Sequence, residues 1–269
     1  MEFPQGHGSL NEIPLRFLAD GTARGAWNMA VDEALMDSAR DGRATLRLYG
    51  WEPGCLSFGR NQTARGRYDG ALAASRGIDV VRRPTGGRSV FHHREITYSV
   101  TAPTDSWGGL REAYLRINRA LAAGLRQLGV PARVVEPGRD VPTPKPTVRA
   151  CFRDPLPGEV VADGRKLIGS AQWRDGGALL QHGSLLLHND QATVEDLRIE
   201  DGAIAVPATG LAELLDPLPD VATIAEAVAA SFGAEFEIEV TPVDLSSAER
   251  EAAMKAHLKY RDDAWTWRR

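Results

Sequence analysis

Residues 159–187 read EVVADGRKLIGSAQWRDGGALLQHGSLLL, and this stretch decides the predicted fold. Three largely apolar runs, 159–162, 166–173 and 179–187, are separated by Asp163-Gly164 and by Asp175-Gly176-Gly177. Asp-Gly pairs between apolar runs are typical of tight β-hairpin turns, because these residues tolerate positive φ angles. The stretch therefore predicts an antiparallel three-stranded meander.

The segments on either side of the meander mix strands with helices. An apolar period of about 3.6 residues predicts a helix over 27–35 and a long helix over 110–128, followed by Gly129. Ser246-x-x-Glu249 is a capping box and predicts the start of a last helix. The buried stripe of the long helix is predicted to contain Leu110, Tyr114, Ile117, Leu121, Leu125 and Leu128. Further short elements are predicted as strands at 13–18, 44–49, 78–81, 89–91, 95–100 and 235–240, and as helices at 68–75 and 224–232.

These elements do not alternate strictly between strand and helix. Such an order favours an α+β fold, in which helices pack on a mixed, largely antiparallel sheet. We expect residues 1–269 to form one domain without an accessory domain.

The composition is that of an ordinary globular protein, with 43% hydrophobic and 25% charged residues. The formal net charge of −4 does not suggest nucleic acid or an anionic membrane as a partner. No apolar run approaches the roughly 18 residues that a membrane span needs. The two cysteines, Cys55 and Cys151, are not in a C-x-x-C pair and favour reduced thiols in the cytoplasm.

The first segment that could carry chemistry is Arg82-Arg83-Pro84-Thr85-Gly86-Gly87-Arg88. Paired glycines let backbone N–H groups approach a ligand closely, and arginines bind carboxylates, phosphates or polar carbonyl groups. The alternative is a tight hairpin turn with solvated arginines. The residues alone leave both interpretations open.

The second segment contains Cys151-Phe152 after a proline-rich stretch, and then Lys166 and Gly169-Ser170-Ala171-Gln172. A nearby ammonium would favour the reactive thiolate form of a cysteine. The alternatives are a small buried cysteine and a solvated strand lysine. Cys55 has apolar neighbours, and we interpret it as a packed structural residue.

The third segment is Gln181-His182-Gly183-Ser184, in which His182 either donates to a substrate or satisfies a hydrogen bond in the core. His92 and His93 are adjacent and should point to opposite faces of a strand, which makes them a poor metal pair. The sequence contains no zinc-type spacing, and we predict no metal.

Taken in order, these segments resemble the lipoate–protein ligase and octanoyltransferase family, which shares a biotin/lipoate ligase-like catalytic domain. The resemblance runs from Trp27-Asn28-Met29-Ala30-Val31-Asp32-Glu33-Ala34-Leu35 through 82–99 and 151–187 to the ending Tyr260…Trp265. It therefore covers most of the chain.

The resemblance also separates two chemistries. The ATP-dependent ligases of the family typically have a third glycine where this chain has Arg88, and Asn-Asp where it has Cys151-Phe152. The octanoyltransferases use a cysteine at the matching Cys-Phe position to form an acyl thioester, and 95–99 resembles their version of that segment. His93 departs from the family, which commonly has Asp there.

The resemblance implies that octanoyl moves from octanoyl-acyl carrier protein to a lysine of a lipoyl domain, such as glycine cleavage H protein or dehydrogenase E2. Cys151 and Lys166 are the predicted catalytic residues, and no cofactor is expected. A lipoate–protein ligase, which would need ATP and Mg, is the nearest rival function. An amidotransferase between lipoyl domains and a non-catalytic binding protein are two more distant rivals. The predicted substrate-binding residues are Arg82, Arg83, Thr85, Gly86, Gly87, His92, Gly169, Ser170, Gln172, His182 and Gly183.

Overall fold

The computed structural model of the chain describes residues 13–136, 152, 155–199 and 207–269. Its strands, in chain order, are β1 (Leu15–Ala23), β2 (Ala44–Trp51), β3 (Cys55–Phe58), β4 (Asp79–Arg82), β5 (Val90–His92), β6 (Glu95–Pro103), β7 (Ala132–Val134), β8 (Val160–Ala162), β9 (Arg165–Asp175), β10 (Ala178–Leu186) and β11 (Val240–Pro242). Its helices are α1 (Gly25–Arg40), α2 (Gly70–Ser75), α3 (Leu110–Gln127), α4 (Ala192–Asp196), a 3-10 turn (Leu211–Glu213), α5 (Val221–Phe236), α6 (Ser247–Tyr260) and α7 (Asp263–Thr266).

Within the described ranges, the strands form two sheets. The larger has the order β11-β1-β2-β6-β10-β9-β8-β7, and the smaller has the order β4-β3-β5. β1 pairs in parallel with β11 and β2, and β3 pairs in parallel with β4, whereas the remaining pairs are antiparallel. The prediction of an α+β fold with a mixed, largely antiparallel sheet is confirmed.

The predicted meander is present as β8, β9 and β10. Asp163 and Gly164 form the first turn with φ angles of 48° and 74°. Two positive φ angles give the turn a twist that matches the flanking strands, which is why Asp-Gly is favoured there. The meander positions Lys166 on β9 and His182 on β10.

Helices cover the large sheet and close its core. α3 and α5 pack together and bury Ile117, Leu121, Leu125 and Phe232 against the sheet. Leu110 was predicted to belong to this stripe, but it is 55% exposed. It is the first residue of α3, and burial along the helix begins only at Ala113. That part of the prediction is wrong.

The C-terminal part differs from the prediction of a strand over 235–240. α5 continues to Phe236, because Phe232 and Phe236 lie one helical turn apart and are both buried. Glu237 then ends the helix in the left-handed region, with φ 55°, and the strand begins only at Val240. β3 and β7 were not predicted.

The predicted capping box of α6 is confirmed and also ties three elements together. Glu249 accepts a hydrogen bond from the backbone N–H of Ser246 at 2.9 Å and bonds both terminal nitrogens of Arg16 on β1, at 2.5 and 2.9 Å. Ser38 of α1 donates to it at 2.9 Å. Burial raises the pKa of Glu249, but these bonds more than offset that effect and lower the pKa to about 2. Among the helices of the described part, none combines the length and apolar character that crossing a bilayer requires.

Candidate active site

A narrow, largely apolar cavity lies between the two sheets. It encloses about 360 Å³ of atom-free space, including its open mouth. Its walls come from α1, β2, β5, β6, β9 and β10. The lining residues are Met29, Tyr49, Trp51, Arg83, Val90, His92, Thr97, Gly169, Ser170, Ala171, His182, Gly183 and Ser184.

Two glycines on neighbouring strands shape one wall of the cavity. A Cβ atom at Gly183 would lie 2.4 Å from the carbonyl oxygen of Gly169 and 2.7 Å from the ring of Tyr98. A Cβ atom at Gly169 would lie 2.8 Å from the ring of Phe152. Any larger residue would therefore displace backbone or a buried ring at these positions. The two glycines therefore let the rings of Tyr98 and Phe152 pack closely against this wall.

The segment 83–89 connects β4 to β5, which lie on opposite sides of β3. It is a crossover, and the hairpin interpretation is wrong. Arg83 is buried and shapes the segment, since its guanidinium donates to Ser57 Oγ at 2.9 Å, to the Gly86 carbonyl at 3.0 Å and to the Arg88 carbonyl at 2.5 Å. This arginine lines the cavity, as a substrate-binding role requires.

Arg82 is also fully buried, but its side chain points away from the cavity lining. It donates to the carbonyl groups of Gly59, Gln62 and Thr266, at 2.7, 2.8 and 2.9 Å. It therefore holds the loop after β3 and the C-terminal segment together.

Six of the predicted substrate-binding residues meet at the cavity, and the others lie around it. Gly86 and Gly87 line a separate groove on the surface. Thr85 hydrogen-bonds to His182, which lines the cavity. Gln172 donates to Gln181 at 3.1 Å, next to the cavity wall. The six that line it are Arg83, His92, Gly169, Ser170, His182 and Gly183.

His182 belongs to a buried chain of hydrogen bonds that begins at Asp32 on α1. Its Nδ1 lies 3.2 Å from Asp32 Oδ2, and its Nε2 lies 2.6 Å from Thr85 Oγ1. Burial lowers the pKa of His182 despite the nearby carboxylate, so the ring is neutral at pH 7. The geometry then assigns the proton to Nδ1, which donates to Asp32, while Nε2 accepts from Thr85. His182 therefore satisfies hydrogen bonds in the core, which was one of the two interpretations, and it also lines the cavity. Its donation to a substrate stays a prediction.

Asp32 was not predicted as a site residue. It is fully buried and accepts hydrogen bonds from Arg47 at 2.9 Å, from Tyr49 at 2.9 Å and from Ser99 at 2.8 Å. Burial raises its pKa, but the bond to His182 and the charge of Arg47 more than offset this, so the net pKa lies below the ordinary 3.8. The signal available in the sequence was an acid, Asp32, directly after Val31 and three residues before Leu35 on the apolar side of the helix.

We expect Asp32→Asn to destabilise the protein by about 3 kcal/mol, because it leaves the fully buried Arg47 without its buried carboxylate. The matched control is Asp20→Asn, which removes the other carboxylate bound to Arg47. Asp20 is 31% exposed, and its loss should cost about 1 kcal/mol or less. Denaturant unfolding measures both.

The stability difference between wild type and Asp32→Asn should depend on pH, and the direction of this dependence follows from the lowered pKa of Asp32. A carboxylate whose pKa is lower in the folded than in the unfolded state stabilises the fold above its unfolded pKa, and this contribution is lost as the pH falls through the folded pKa. The stability gap between wild type and Asp32→Asn should therefore be complete at neutral pH and shrink below pH 3.8. A gap that stays constant through acid pH would contradict this assignment.

His92 lies in a second buried network on the opposite wall. Its Nδ1 is 2.8 Å from Glu95 Oε1, its Nε2 is 2.7 Å from Ser57 Oγ, and its ring stacks on Trp51 at 4.1 Å. His92 is buried whereas His93 is exposed, in agreement with the prediction that they point in opposite directions, and His93 Nδ1 lies 3.1 Å from Asp190 Oδ2. The described residues contain no group of three or more side chains suited to hold a metal ion.

Lys166 is buried, and the interpretation as a solvated strand lysine is wrong. Its ammonium donates to Glu159 Oε1 at 2.7 Å, and the two side chains are only 1% and 3% exposed. Burial raises the pKa of Glu159, and the adjacent Lys166 opposes that shift. Glu159, which was also missed from the sequence, is itself held in place, because its second oxygen accepts from the backbone N–H of Leu156 at 2.8 Å.

Phe152 connects this ion pair with the cavity. The Lys166 ammonium lies 5.1 Å from the centre of the Phe152 ring. The ring lies against the place where a Cβ on Gly169 would be, and it packs with Val90. Gly169 and Val90 both line the cavity. Cys151, the predicted nucleophile, lies outside the described residues.

Cys55 is the other thiol, and its predicted structural role agrees with its position. It is fully buried in β3, and burial, followed by the negative charges of Asp79 and Glu95, raises its pKa well above the ordinary value. A thiol with a raised pKa is protonated and therefore a poor nucleophile at pH 7.

Residues 24–233 match the family described as the lipoyl protein ligase A/B catalytic domain. The chain belongs to this family, as the resemblance of its motifs predicted.

Similar proteins include relatives named octanoyltransferase LipM. That of Kyrpidia tusciae is 38% identical over 271 residues, which covers 94% of this chain and 98% of the relative. That of Moorella thermoacetica is 37% identical over 268 residues, with the same coverage of both chains. A solved structure of lipoate-protein ligase A bound with ATP superposes with a TM-score of 0.77 and 21% identity, covering 95% of this chain and 98% of that one. At that identity the likeness shows the fold alone.

Proposed function

We propose that this chain is an octanoyltransferase that acts in protein lipoylation and carries the octanoyl group on Cys151. Octanoyl transfer and the acyltransferase class are those of relatives that match it over nearly their whole length. The acceptor is a protein with a lipoyl domain, in keeping with the family. We further propose that the donor is octanoyl-acyl carrier protein and that the acceptor is glycine cleavage H protein or a dehydrogenase E2 component. The reaction would take place in the cytoplasm.

The reaction takes place in two steps. The Cys151 thiolate attacks the thioester carbonyl, the octanoyl–sulfur bond of the donor breaks, and the carrier thiol takes up a proton. The neutral ε-amine of the acceptor lysine then attacks the octanoyl-Cys151 thioester, loses a proton, forms an amide and releases the thiolate. The first step exchanges one thioester for another at nearly equal free energy, and the second runs downhill, so the route consumes no ATP.

The observation that carries the covalent route is the buried Lys166–Glu159 pair beside Phe152. A cysteine next to a fixed ammonium is stabilised as the thiolate, which is the nucleophilic form. The chain neighbour of Cys151 has its ring against that ammonium and against the glycine wall of the cavity. Glu159 keeps the lysine in place, so the positive charge is already positioned when the donor arrives.

The apolar character of the cavity lining suits an acyl tail. Met29, Trp51 and Val90 supply apolar walls. Burial contributes about 0.8 kcal/mol per methylene, so a tail of about seven carbons contributes about 5 kcal/mol. Leu167, which neighbours Lys166 in β9, is fully buried in the main core and does not line the cavity.

Intact-mass analysis after incubation with octanoyl-acyl carrier protein and no ATP tests the proposal. The chain should gain the mass of one octanoyl group and lose it when a lipoyl domain is added. Formation of lipoyl-AMP from ATP and free lipoate, without such a gain, would instead identify a ligase. Labelling only by an octanoylated lipoyl domain would identify an amidotransferase, and no labelling by either donor would favour a binding protein.

A further inference from the structure

Three segments beside the cavity carry an unusual amount of positive charge. Residues 59–68, 82–89 and 264–269 contain eight arginines and no aspartate or glutamate, in a chain whose formal net charge is −4. We call these segments together the arginine surface.

The three segments pack into one unit. The backbone N–H of Arg60 donates to the Thr85 carbonyl at 2.8 Å, and the Ala64 N–H donates to the Arg269 carbonyl at 2.9 Å. The Arg268 side chain donates to the Arg60 carbonyl at 2.5 Å. A Cβ on Gly59 would lie 2.0 Å from the Gly87 carbonyl oxygen. The loop that follows β3 therefore lies directly on the double-glycine segment, Gly86-Gly87.

The inner arginines of this unit are held by neutral groups. Arg82 donates to carbonyl oxygens, Arg60 lies 4.4 Å over the ring of Trp173, and Arg268 lies 3.9 Å over the ring of Trp265. Across the described ranges, no aspartate or glutamate side chain pairs with any of these three arginines. Dipoles and rings orient the guanidinium groups but do not cancel their charge.

Two further observations indicate that this charge is unsatisfied. Arg82 is fully buried, and its second terminal nitrogen has no hydrogen-bond partner among the described residues. Burial, and then the positive charges of Arg268, Arg269 and Arg83, lower the pKa of Arg82 to about 10. A protein maintains such repulsion at a cost in stability, which binding of an anionic partner would offset.

A groove runs from this unit along the double-glycine segment. Its lining includes Arg67, Gly86, Gly87 and Arg88, together with Arg198, which pairs with Glu195 at 3.2 Å. With three arginines and one glutamate, the lining keeps a net positive formal charge. Arginine forks match the geometry of phosphate oxygens, and glycines permit close approach of a ligand to the backbone.

We propose that the arginine surface docks the acidic face of the carrier protein that donates the acyl group, and that the groove receives the carrier's phosphodiester-bearing arm. The inference rests on the proposed octanoyl transfer and adds the site of donor recognition. A donor whose acyl group hangs on a long phosphodiester arm needs a basic groove beside the cavity. An acceptor that offers one lysine side chain does not need such a groove, so the donor is the partner that fits.

The test variant is Arg65→Glu with Arg67→Glu, two exposed side chains of the arginine surface that the proposed chemistry does not use. With octanoyl-acyl carrier protein, kcat/KM for formation of the acyl-enzyme should fall about tenfold or more at low salt, and the remaining rate should depend less on ionic strength. With octanoyl-N-acetylcysteamine, an uncharged small thioester, it should stay within about twofold of wild type.

Two matched controls accompany this variant. Arg65→Lys with Arg67→Lys keeps the charge and should keep most of the activity with the carrier. Arg111→Glu with Arg119→Glu makes the same change in net charge on exposed positions of α3 and should have little effect. Equal losses with both thioesters, or no loss with the carrier, would overturn the docking site.

Direct binding separates this inference from the proposed function. Binding of the holo carrier protein, titrated at low salt, should be weakened by the reversal at 65 and 67 and not by that at 111 and 119. If wild type accepts octanoyl from neither thioester, the proposed function fails, and the binding result still decides whether the surface docks a carrier. Equal binding by wild type and the Arg65/Arg67 variant would refute the docking site, whatever the activity.

Discussion

Cys151→Ala protein should take up no octanoyl group from octanoyl-acyl carrier protein and should transfer none to a lipoyl domain. Alanine removes the sulfur that carries the acyl group and leaves the covalent route without a nucleophile. We expect the transfer rate to fall at least about a thousandfold, to the level left by substrate binding alone. Intact-mass spectrometry measures the acyl-enzyme, and the mass of the lipoyl domain measures transfer.

Cys55→Ala is the matched control, since the chain has two cysteines. Its thiol is fully buried and protonated, so its loss should cost about 1 kcal/mol of stability through a small cavity and leave the acyl-enzyme intact. Transfer retained by Cys151→Ala, or lost together with the acyl-enzyme in Cys55→Ala, would end the assignment of the nucleophile.

The parts of the fold that the sequence predicted well are those set by local chemistry. Asp163-Gly164 determines a hairpin through its positive φ angles, and Ser246 with Glu249 determines a helix start, so neither depends on distant residues. β3 was missed because all four of its residues are buried, which removes the alternation that marks a strand. The prediction of a strand over 235–240 is wrong because Phe232 and Phe236 are both buried at helical spacing. Tertiary packing of these two rings therefore extends the helix to Phe236.

The residues of the candidate site also differ in whether local sequence predicts them. Arg83, Gly169 and His182 were recognisable because their motifs are contiguous in the chain. Asp32 was not, because its partner His182 is 150 positions away, and only the packing of α1 against the sheet joins them.

The Glu159–Lys166 pair is close in sequence, but the hairpin alone does not predict it. An irregularity between Val160 and Val161 shifts the pairing of β8 with β9 by a residue, so a regular register gives the wrong neighbours. The available signal for Glu159 was an acid placed directly before the apolar pair Val160-Val161.

Lys166→Met should slow formation of the acyl-enzyme by about a hundredfold to a thousandfold. Methionine keeps the volume of the side chain but removes the ammonium that stabilises the thiolate. It also leaves Glu159 buried without a counter-ion, which by itself should destabilise the fold by about 3 kcal/mol. A loss of activity in this variant alone would therefore not distinguish catalysis from folding.

The double variant Lys166→Met with Glu159→Gln separates the two effects. Removing both charges of a buried pair relieves the desolvation cost, so stability should return to near the wild-type value. Activity should stay as low as in Lys166→Met, because the ammonium is still absent. Recovery of activity together with stability would show that the lysine only supports the fold.

Glu159→Gln tests how the lysine is positioned. The ammonium would remain in a buried site without its carboxylate, which lowers the pKa of a lysine. Acylation should then lose rate as the pH rises through the lowered value, whereas wild type should keep its rate to higher pH. Lys259→Met is the control, since Lys259 pairs with Glu33 at 2.6 Å but is 35% exposed and lies outside the cavity. Its loss should cost about 1 kcal/mol or less and leave the pH profile unchanged.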